Sequence, residues 1–122
     1  MLTYNHYLEE LGIKKTDFPF GDEEWNDDPR YEVDEEGFRE CEFWSLDYSL
    51  ACYIYSHLCY FRDYCLYGHP LYVTEEQWEK ILNKMIKGFK LYITENSPSK
   101  NQQKQIAYGM KLFVKHFGGL WF

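Results

Sequence analysis

The sequence predicts an all-α protein, a compact bundle of three long helices with a short N-terminal helix before them. Three observations predict this class. The stretch from Phe43 to Tyr67 is long enough for about six helical turns. Residues 74–94 open with a helix-capping pattern, and residues 97–117 open with a Ser-Pro helix start, each followed by apolar residues at helical spacing. The length of 122 residues suits a single domain, so we assign residues 1–122 to one.

The first predicted helix is short and follows Thr3, which we expect to be its N-cap. Its apolar residues recur at the i, i+3, i+4, i+7 spacing of one helix face, and Gly12 can end it in the left-handed conformation. An isolated helix of this length is unstable in water. We therefore expect it to dock on the rest of the chain.

Residues 13–42 predict a long acidic loop between the first and second helices. This loop also carries five aromatic residues: Phe18, Phe20, Trp25, Tyr31 and Phe38. A disordered acidic segment would be poor in aromatics, so these side chains indicate an ordered loop pinned to the helical core. Within it, RYEV and FREC flank a run of turn formers, a pattern that also allows a small β-hairpin.

The central helix lies within the stretch Phe43–Tyr67, with Ser45 predicted as its N-cap and Gly68-His69-Pro70 as its end. A helical projection gives it two apolar faces. The first face holds Leu46, Leu50, Tyr53, Ile54, His57, Leu58 and Phe61, where His57 reads as a hydrogen-bonded core residue. The second holds Tyr48, Cys52, Tyr55, Cys59 and Arg62. The second face is either core, a self-interface or a binding site.

The third helix begins with the capping box Thr74-Glu75-Glu76-Gln77 and runs to about Thr94. The fourth is predicted to start with Ser97 as its N-cap and Pro98 at its first position, and to stop at Gly118-Gly119. The apolar tail Leu120-Trp121-Phe122 is expected to fold back on the core or to dock on a neighbouring subunit.

Charge is unevenly distributed along the chain, whose net charge is −7. Residues 1–47 hold 15 acidic and 4 basic residues, a net −11, whereas residues 48–122 hold 5 and 9, a net +4. A globally acidic chain is a poor candidate for direct nucleic-acid binding. The basic half can still hold a local anion site.

The four cysteines are predicted to be thiols, since Cys52 and Cys59 lie about 10 Å apart on one helix, beyond disulfide reach. We expect no secretory signal, because the N-terminus is polar, and no membrane span, because the longest uncharged run has 14 residues. We therefore expect a reducing, cytosolic location.

The sequence contains no motif that predicts catalysis, a cofactor or a metal. It lacks G-x-S-x-G, a P-loop, G-x-G-x-x-G and a CxxC pair. The acidic clusters of the loop lack EF-hand spacing and read as solvated. We predict a non-enzymatic protein without cofactor or metal.

The residues most suggestive of a ligand site surround Arg62. Its favoured partner is the acidic N-terminal loop. The alternative is that it clamps a phosphate or carboxylate while Tyr48 or Tyr55 stacks on a planar group. Trp44 and Tyr60 complete the predicted ligand-binding set of Arg62, Tyr48, Tyr55, Trp44 and Tyr60.

The motifs WSLDYSLACYIYSHLCYF and LYVTEEQWEKILNKMIKGFKLY resemble a set of small helical proteins encoded by bacteriophages and prophages. The shared features are a W-S-L-D helix start, a T-E-E-x-W helix with a K-M-I-x-x-F core and an aromatic tail, over roughly residues 37–122. Those proteins place basic residues in the central helix where this chain has Cys59-Tyr60. Because these motifs consist of helix caps and apolar core residues, the resemblance implies a shared fold and not a shared activity. The resemblance implies a phage accessory protein, which would act in the host cytoplasm, without assigning an activity.

Three functions follow as hypotheses. The first is a non-catalytic counter-defence protein that sequesters a small anionic, nucleotide-type ligand. The second is an acidic inhibitor of a host defence protein that mimics nucleic acid through residues 22–47. The third is a structural phage factor, and we expect a homo-oligomer in which the second face of the central helix is the self-interface.

Overall fold

The protein is all-α in the computed structural model, which describes residues 2–20 and 28–121. Its helices are α1 (His6–Glu10), α2 (Leu46–Tyr64), α3 (Glu75–Thr94) and α4 (Lys100–Lys115). Three short 3-10 helices cover Pro29–Tyr31, Glu40–Phe43 and Phe117–Gly119. No strand occurs in the described ranges, and no helix there combines the length and apolarity needed to cross a bilayer.

The chain forms two compact units, residues 1–56 and 57–122, with the boundary inside α2. The single domain remains a prediction. The boundary coincides with the division of charge. The first unit carries 15 acidic and 4 basic residues, and the second carries 5 and 9.

The first unit begins with α1, whose cap differs from the prediction. Asn5, not Thr3, is the N-cap, and its side-chain oxygen accepts the Leu8 N–H at 3.3 Å. Gly12 ends the helix with a φ of +87°, as predicted. The tyrosine and leucine of the docking face, Tyr7 and Leu8, are buried.

The loop after α1 is ordered around buried residues in the described range. Phe20 is buried, and the Cys41 thiol donates to the Pro19 carbonyl at 2.9 Å. The Glu42 carboxylate, also buried, accepts the backbone N–H groups of Leu2 and Arg39. These contacts tie three separate segments together.

The β-hairpin considered for this loop is not confirmed. The Asp34 N–H donates to the Phe38 carbonyl at 2.8 Å, and Gly37 adopts a φ of +92°, which makes a tight turn without paired strands among the residues described there. Trp25 and the acidic cluster Asp22-Glu23-Glu24 lie outside the described residues.

Helix α2 begins directly after Ser45, the residue predicted to cap it, and ends three residues before the predicted Tyr67. It begins at Leu46, directly after Ser45, whose carbonyl accepts the Ser49 N–H at 3.1 Å. It ends at Tyr64, before the predicted stop signal at Gly68. Residues 43–45 belong to the preceding 3-10 helix and a turn.

In the second unit, capping boxes start both α3 and α4. The Gln77 N–H donates to the Thr74 hydroxyl and the Thr74 N–H to the Gln77 side chain, as predicted. For α4 the predicted Ser97 cap is wrong. Ser99 is the cap because a capping box needs Glu or Gln three residues later, and Gln102 supplies it.

Two glycines let α3 and α4 pack unusually closely. A Cβ on Gly109 would lie 2.8 Å from the Lys84 carbonyl oxygen and 2.9 Å from the Gly88 Cα. Real Cβ atoms essentially never lie this close to backbone atoms, so only glycine fits at these two positions. Trp78, Leu82 and Met85 fill the buried face of α3 beside this crossing.

The end of α4 is held by a buried histidine. The His116 Nδ1 and the Tyr72 hydroxyl form a 2.9 Å hydrogen bond, and the His116 ring meets the Trp78 ring edge-on. Burial, with a smaller effect of Lys115, lowers the pKa of His116. Beyond it, Trp121 is exposed, so this part of the tail does not fold back on the core, and Phe122 lies outside the described residues.

Candidate functional site

The two predicted faces of α2 have different environments. Cys52, Tyr55 and Cys59, on the second face, are buried, with exposures of 0%, 6% and 2%. The first face is partly exposed, and His57, predicted to be a core residue, lies on its exposed side. Because Tyr55 is buried in protein, a ligand would have to displace its packing to reach the ring.

Tyr48 extends the buried face at its N-terminal end. Burial raises the pKa of its hydroxyl to about 12 and the pKa of the neighbouring Cys52 thiol to about 11. Both groups are therefore protonated at neutral pH. Neither is an activated nucleophile, since only the thiolate form of cysteine reacts readily.

Trp44 belongs to an aromatic cluster of the first unit. Its ring stacks on Phe18, with centroids 5.8 Å apart and planes 7° apart, and meets Tyr31 edge-on. The Arg30 guanidinium lies 5.3 Å from the Trp44 ring centroid and is oriented by Asp28, whose carboxylate accepts from its Nε at 3.0 Å. The Trp44 side chain is 43% exposed and already contacts Phe18, Tyr31 and Arg30.

Arg62, the centre of the predicted site, has partners within the second unit. Its Nε donates to the Asp63 carboxylate at 2.8 Å, and its Nη1 donates to the Asn83 side-chain oxygen at 3.1 Å. An anion would compete with both groups for the guanidinium.

Tyr60 projects from another side of α2. Two residues correspond to about 200° around a helix, so Tyr60 lies nearly opposite Arg62. Its exposed ring packs on Tyr64 at 4.8 Å between centroids. Within the first unit, Trp44 and Tyr48 both contact Phe18, whereas Arg62 and Tyr60 in the second unit project from different sides of α2.

The strongest concentration of positive charge lies on α3 and α4, outside the predicted set. Residues 80–121 contain eight lysines and one acidic residue, Glu95. All eight side chains are exposed: Lys80, Lys84, Lys87, Lys90, Lys100, Lys104, Lys111 and Lys115. We call these lysines together with Tyr108 the basic hairpin face.

An aromatic ring lies among these lysines. The Lys84 Nζ is 5.4 Å from the centroid of the Tyr108 ring, a cation–π contact between α3 and α4. Tyr108 is about half exposed. A cation beside an accessible aromatic ring is an arrangement suited to an anionic ligand that also carries a planar group.

The lysines of α4 occupy one side of that helix. Lys100, Lys104, Lys111 and Lys115 follow one another at intervals of four, seven and four residues, which keeps them on one face over roughly 22 Å. The sequence contained this signal, because no acidic residue occurs between Asn96 and Trp121. Lysines on an exposed helix face are most often only solvated, so the pattern alone does not predict a binding site.

No family model, curated protein or solved structure matches the chain. The resemblance to phage-encoded proteins therefore remains a prediction. Among residues 2–20 and 28–121, no group of three or more His, Cys, Asp or Glu side chains is placed to hold a metal ion.

Proposed function

We propose that this is a non-catalytic binding protein whose ligand is a small nucleotide-type anion, held on the basic hairpin face. The observation that carries the proposal is the exposed Lys84–Tyr108 pair within a segment of eight lysines and one glutamate. Lysines supply attraction to phosphate groups, and Tyr108 supplies a stacking surface for a base. In a phage accessory protein, sequestering such a ligand would counter a host defence signal.

The close packing of α3 on α4 favours this surface over the predicted set around Arg62. Gly88 and Gly109 bring the two backbones together, so Lys84 and Tyr108 are presented from one closely packed hairpin. A ligand at this face need not break the Arg62–Asp63 ion pair or displace buried Tyr55. Preorganised groups lose less conformational entropy on binding.

A thermal-shift panel tests the proposal. A cyclic dinucleotide, ADP-ribose and inorganic triphosphate are each added to the wild type and to Lys84→Gln/Lys104→Gln/Lys111→Gln. We expect a nucleotide to raise the melting temperature of the wild type, since ligand at 100 times its Kd stabilises by about 2.7 kcal/mol. The triple variant should lose that shift.

A matched control removes charge elsewhere. Lys14→Gln/Lys15→Gln neutralises two exposed lysines of the first unit and should leave the shift unchanged. Tyr108→Leu should weaken nucleotide binding and so reduce the thermal shift that nucleotides cause. The thermal shift caused by triphosphate should not change. An unchanged melting temperature with every probe, or equal loss in the control variant, contradicts the proposal.

The charge of the first unit supports a second candidate, an inhibitor that offers an acidic surface to a basic host protein. Residues 1–56 carry a net −11. In the described part of the loop, Glu32, Glu35 and Glu36 are exposed. Their replacement by glutamine should weaken binding of a basic partner, and that binding should fall with added salt because exposed charge pairs are screened.

A further inference from the structure

Helix α2 carries an exposed stripe whose spacing is that of a helix–helix seam. Leu46 is followed at intervals of four, three, four, three and four residues by the other members: Leu50, Tyr53, His57, Tyr60 and Tyr64. All six are exposed, and the five leucines and tyrosines have exposures between 45% and 59%. We call these six residues the α2 seam.

Alternation of three and four residues averages 3.5 per turn, which keeps a stripe facing one partner helix along its length. Within a globular unit such a stripe would normally be buried against the unit's own core. Here the buried residues of α2, including Cys52 and Cys59, lie on the other side of the helix. The seam is therefore a surface suited to another helix.

We propose that the α2 seam is a homodimer interface, in which α2 of a second copy packs against it in antiparallel orientation. The distribution of residue sizes favours this occupant. The seam begins with leucines and ends with tyrosines. Antiparallel pairing places Leu46 against Tyr64 of the partner subunit and Leu50 against Tyr60 of the partner subunit, so each layer combines one smaller and one larger side chain.

A parallel pair would stack leucines on leucines at one end and tyrosines on tyrosines at the other, which splays the helices. Antiparallel helices also align their dipoles favourably. The flanking charges do not oppose this arrangement, because heptad geometry places Asp47 beside Phe61 of the partner subunit and not beside another acidic residue. No like charges meet.

The available area suits a small dimer. The aromatic members of the seam are about half exposed, and a fully buried aromatic side chain covers roughly 200 Å². Together with the two leucines, the two seams of a dimer would bury on the order of 1,000 Å² in total. This is the lower limit for a specific interface. We therefore expect a dimer that dissociates on dilution.

Sedimentation equilibrium of the full chain tests the interface. The wild type should be dimeric at high concentration, and Leu50→Glu should raise the dimer Kd by at least about tenfold, since each dimer loses two buried leucines and gains two carboxylates. Leu71→Glu is the matched control, because Leu71 is fully exposed and off the seam. A monomeric wild type overturns the proposal, and a different protein would then be the partner of the α2 seam. A Leu50→Glu variant that dimerises like the control also overturns it.

A charge pair tests the orientation. Tyr60→Lys alone should also weaken the dimer, whereas Leu50→Glu/Tyr60→Lys should restore it, because antiparallel packing places each glutamate opposite a lysine. In a parallel dimer like charges would still face each other. Failure of the double variant to recover, with helical content retained by circular dichroism, overturns the antiparallel arrangement. Ligand binding at the basic hairpin face plays no part in these measurements.

Discussion

Replacing Gly109 with alanine should destabilise the second unit, because the added Cβ meets backbone atoms. It would lie 2.8 Å from the Lys84 carbonyl oxygen, whereas ordinary contacts begin at 3.4 Å, so α3 and α4 would have to separate by about 0.6 Å. Overpacking of a core costs about 1–3 kcal/mol, and a backbone clash falls at the upper end of that range. The better helix propensity of alanine returns about 1 kcal/mol. We expect a net loss of about 1–2 kcal/mol.

Urea denaturation measures this loss as a lower midpoint with an unchanged slope. Gly88→Ala should behave similarly, since its Cβ would lie 2.9 Å from the Gly109 Cα. Gly68→Ala is the control, because nothing lies within 4 Å of its added Cβ, and it should be neutral or stabilising by up to about 1 kcal/mol. A Gly109→Ala variant more stable than the wild type would refute the close crossing of α3 and α4.

Three further predictions concern pH, thiol reactivity and capping. Because burial holds the pKa of His116 below its unfolded value, the free energy of unfolding should fall as the pH drops below about 6.5, and His116→Asn should flatten this dependence in urea titrations at several pH values. A thiol reagent should modify half-buried Cys65 first and the three buried cysteines, Cys41, Cys52 and Cys59, only on unfolding; rapid reaction of all four would contradict their burial. Ser99→Ala should cost about 1 kcal/mol and Ser97→Ala close to none, and the reverse order would restore the cap predicted at Ser97.

The helices were predictable because their signals are local. The capping box at Thr74 fixed the start of α3, and the all-α class followed from periodic apolar residues. The Ser97 error arose from reading Ser-Pro as a start, although the reciprocal bond of Ser99 with Gln102 decides the cap. The sequence contained the deciding signal, because Gln102 lies three residues after Ser99, whereas lysine lies three residues after Ser97.

The candidate site was less predictable because it depends on which face of a helix is buried. A projection of α2 shows two apolar faces of similar character, and periodicity alone cannot say which one meets the core. Tyr55 is buried and Tyr60 is exposed, so the face that carries Tyr55 is the one that packs in the core. Lys84 and Tyr108 are 24 positions apart in sequence and lie on different helices, so only the packing of α3 on α4 brings them into contact.

Residue-level mapping of the bound nucleotide tests the central claim most directly. Backbone amide NMR shifts of the wild type are followed while ADP-ribose or the cyclic dinucleotide is titrated, whichever gives the larger thermal shift. The basic hairpin face predicts changes centred on Lys84, Lys104 and Tyr108, and their loss in the triple lysine variant. Changes centred instead on Trp44 and Tyr48, or none at saturating ligand, would contradict the assignment of this surface.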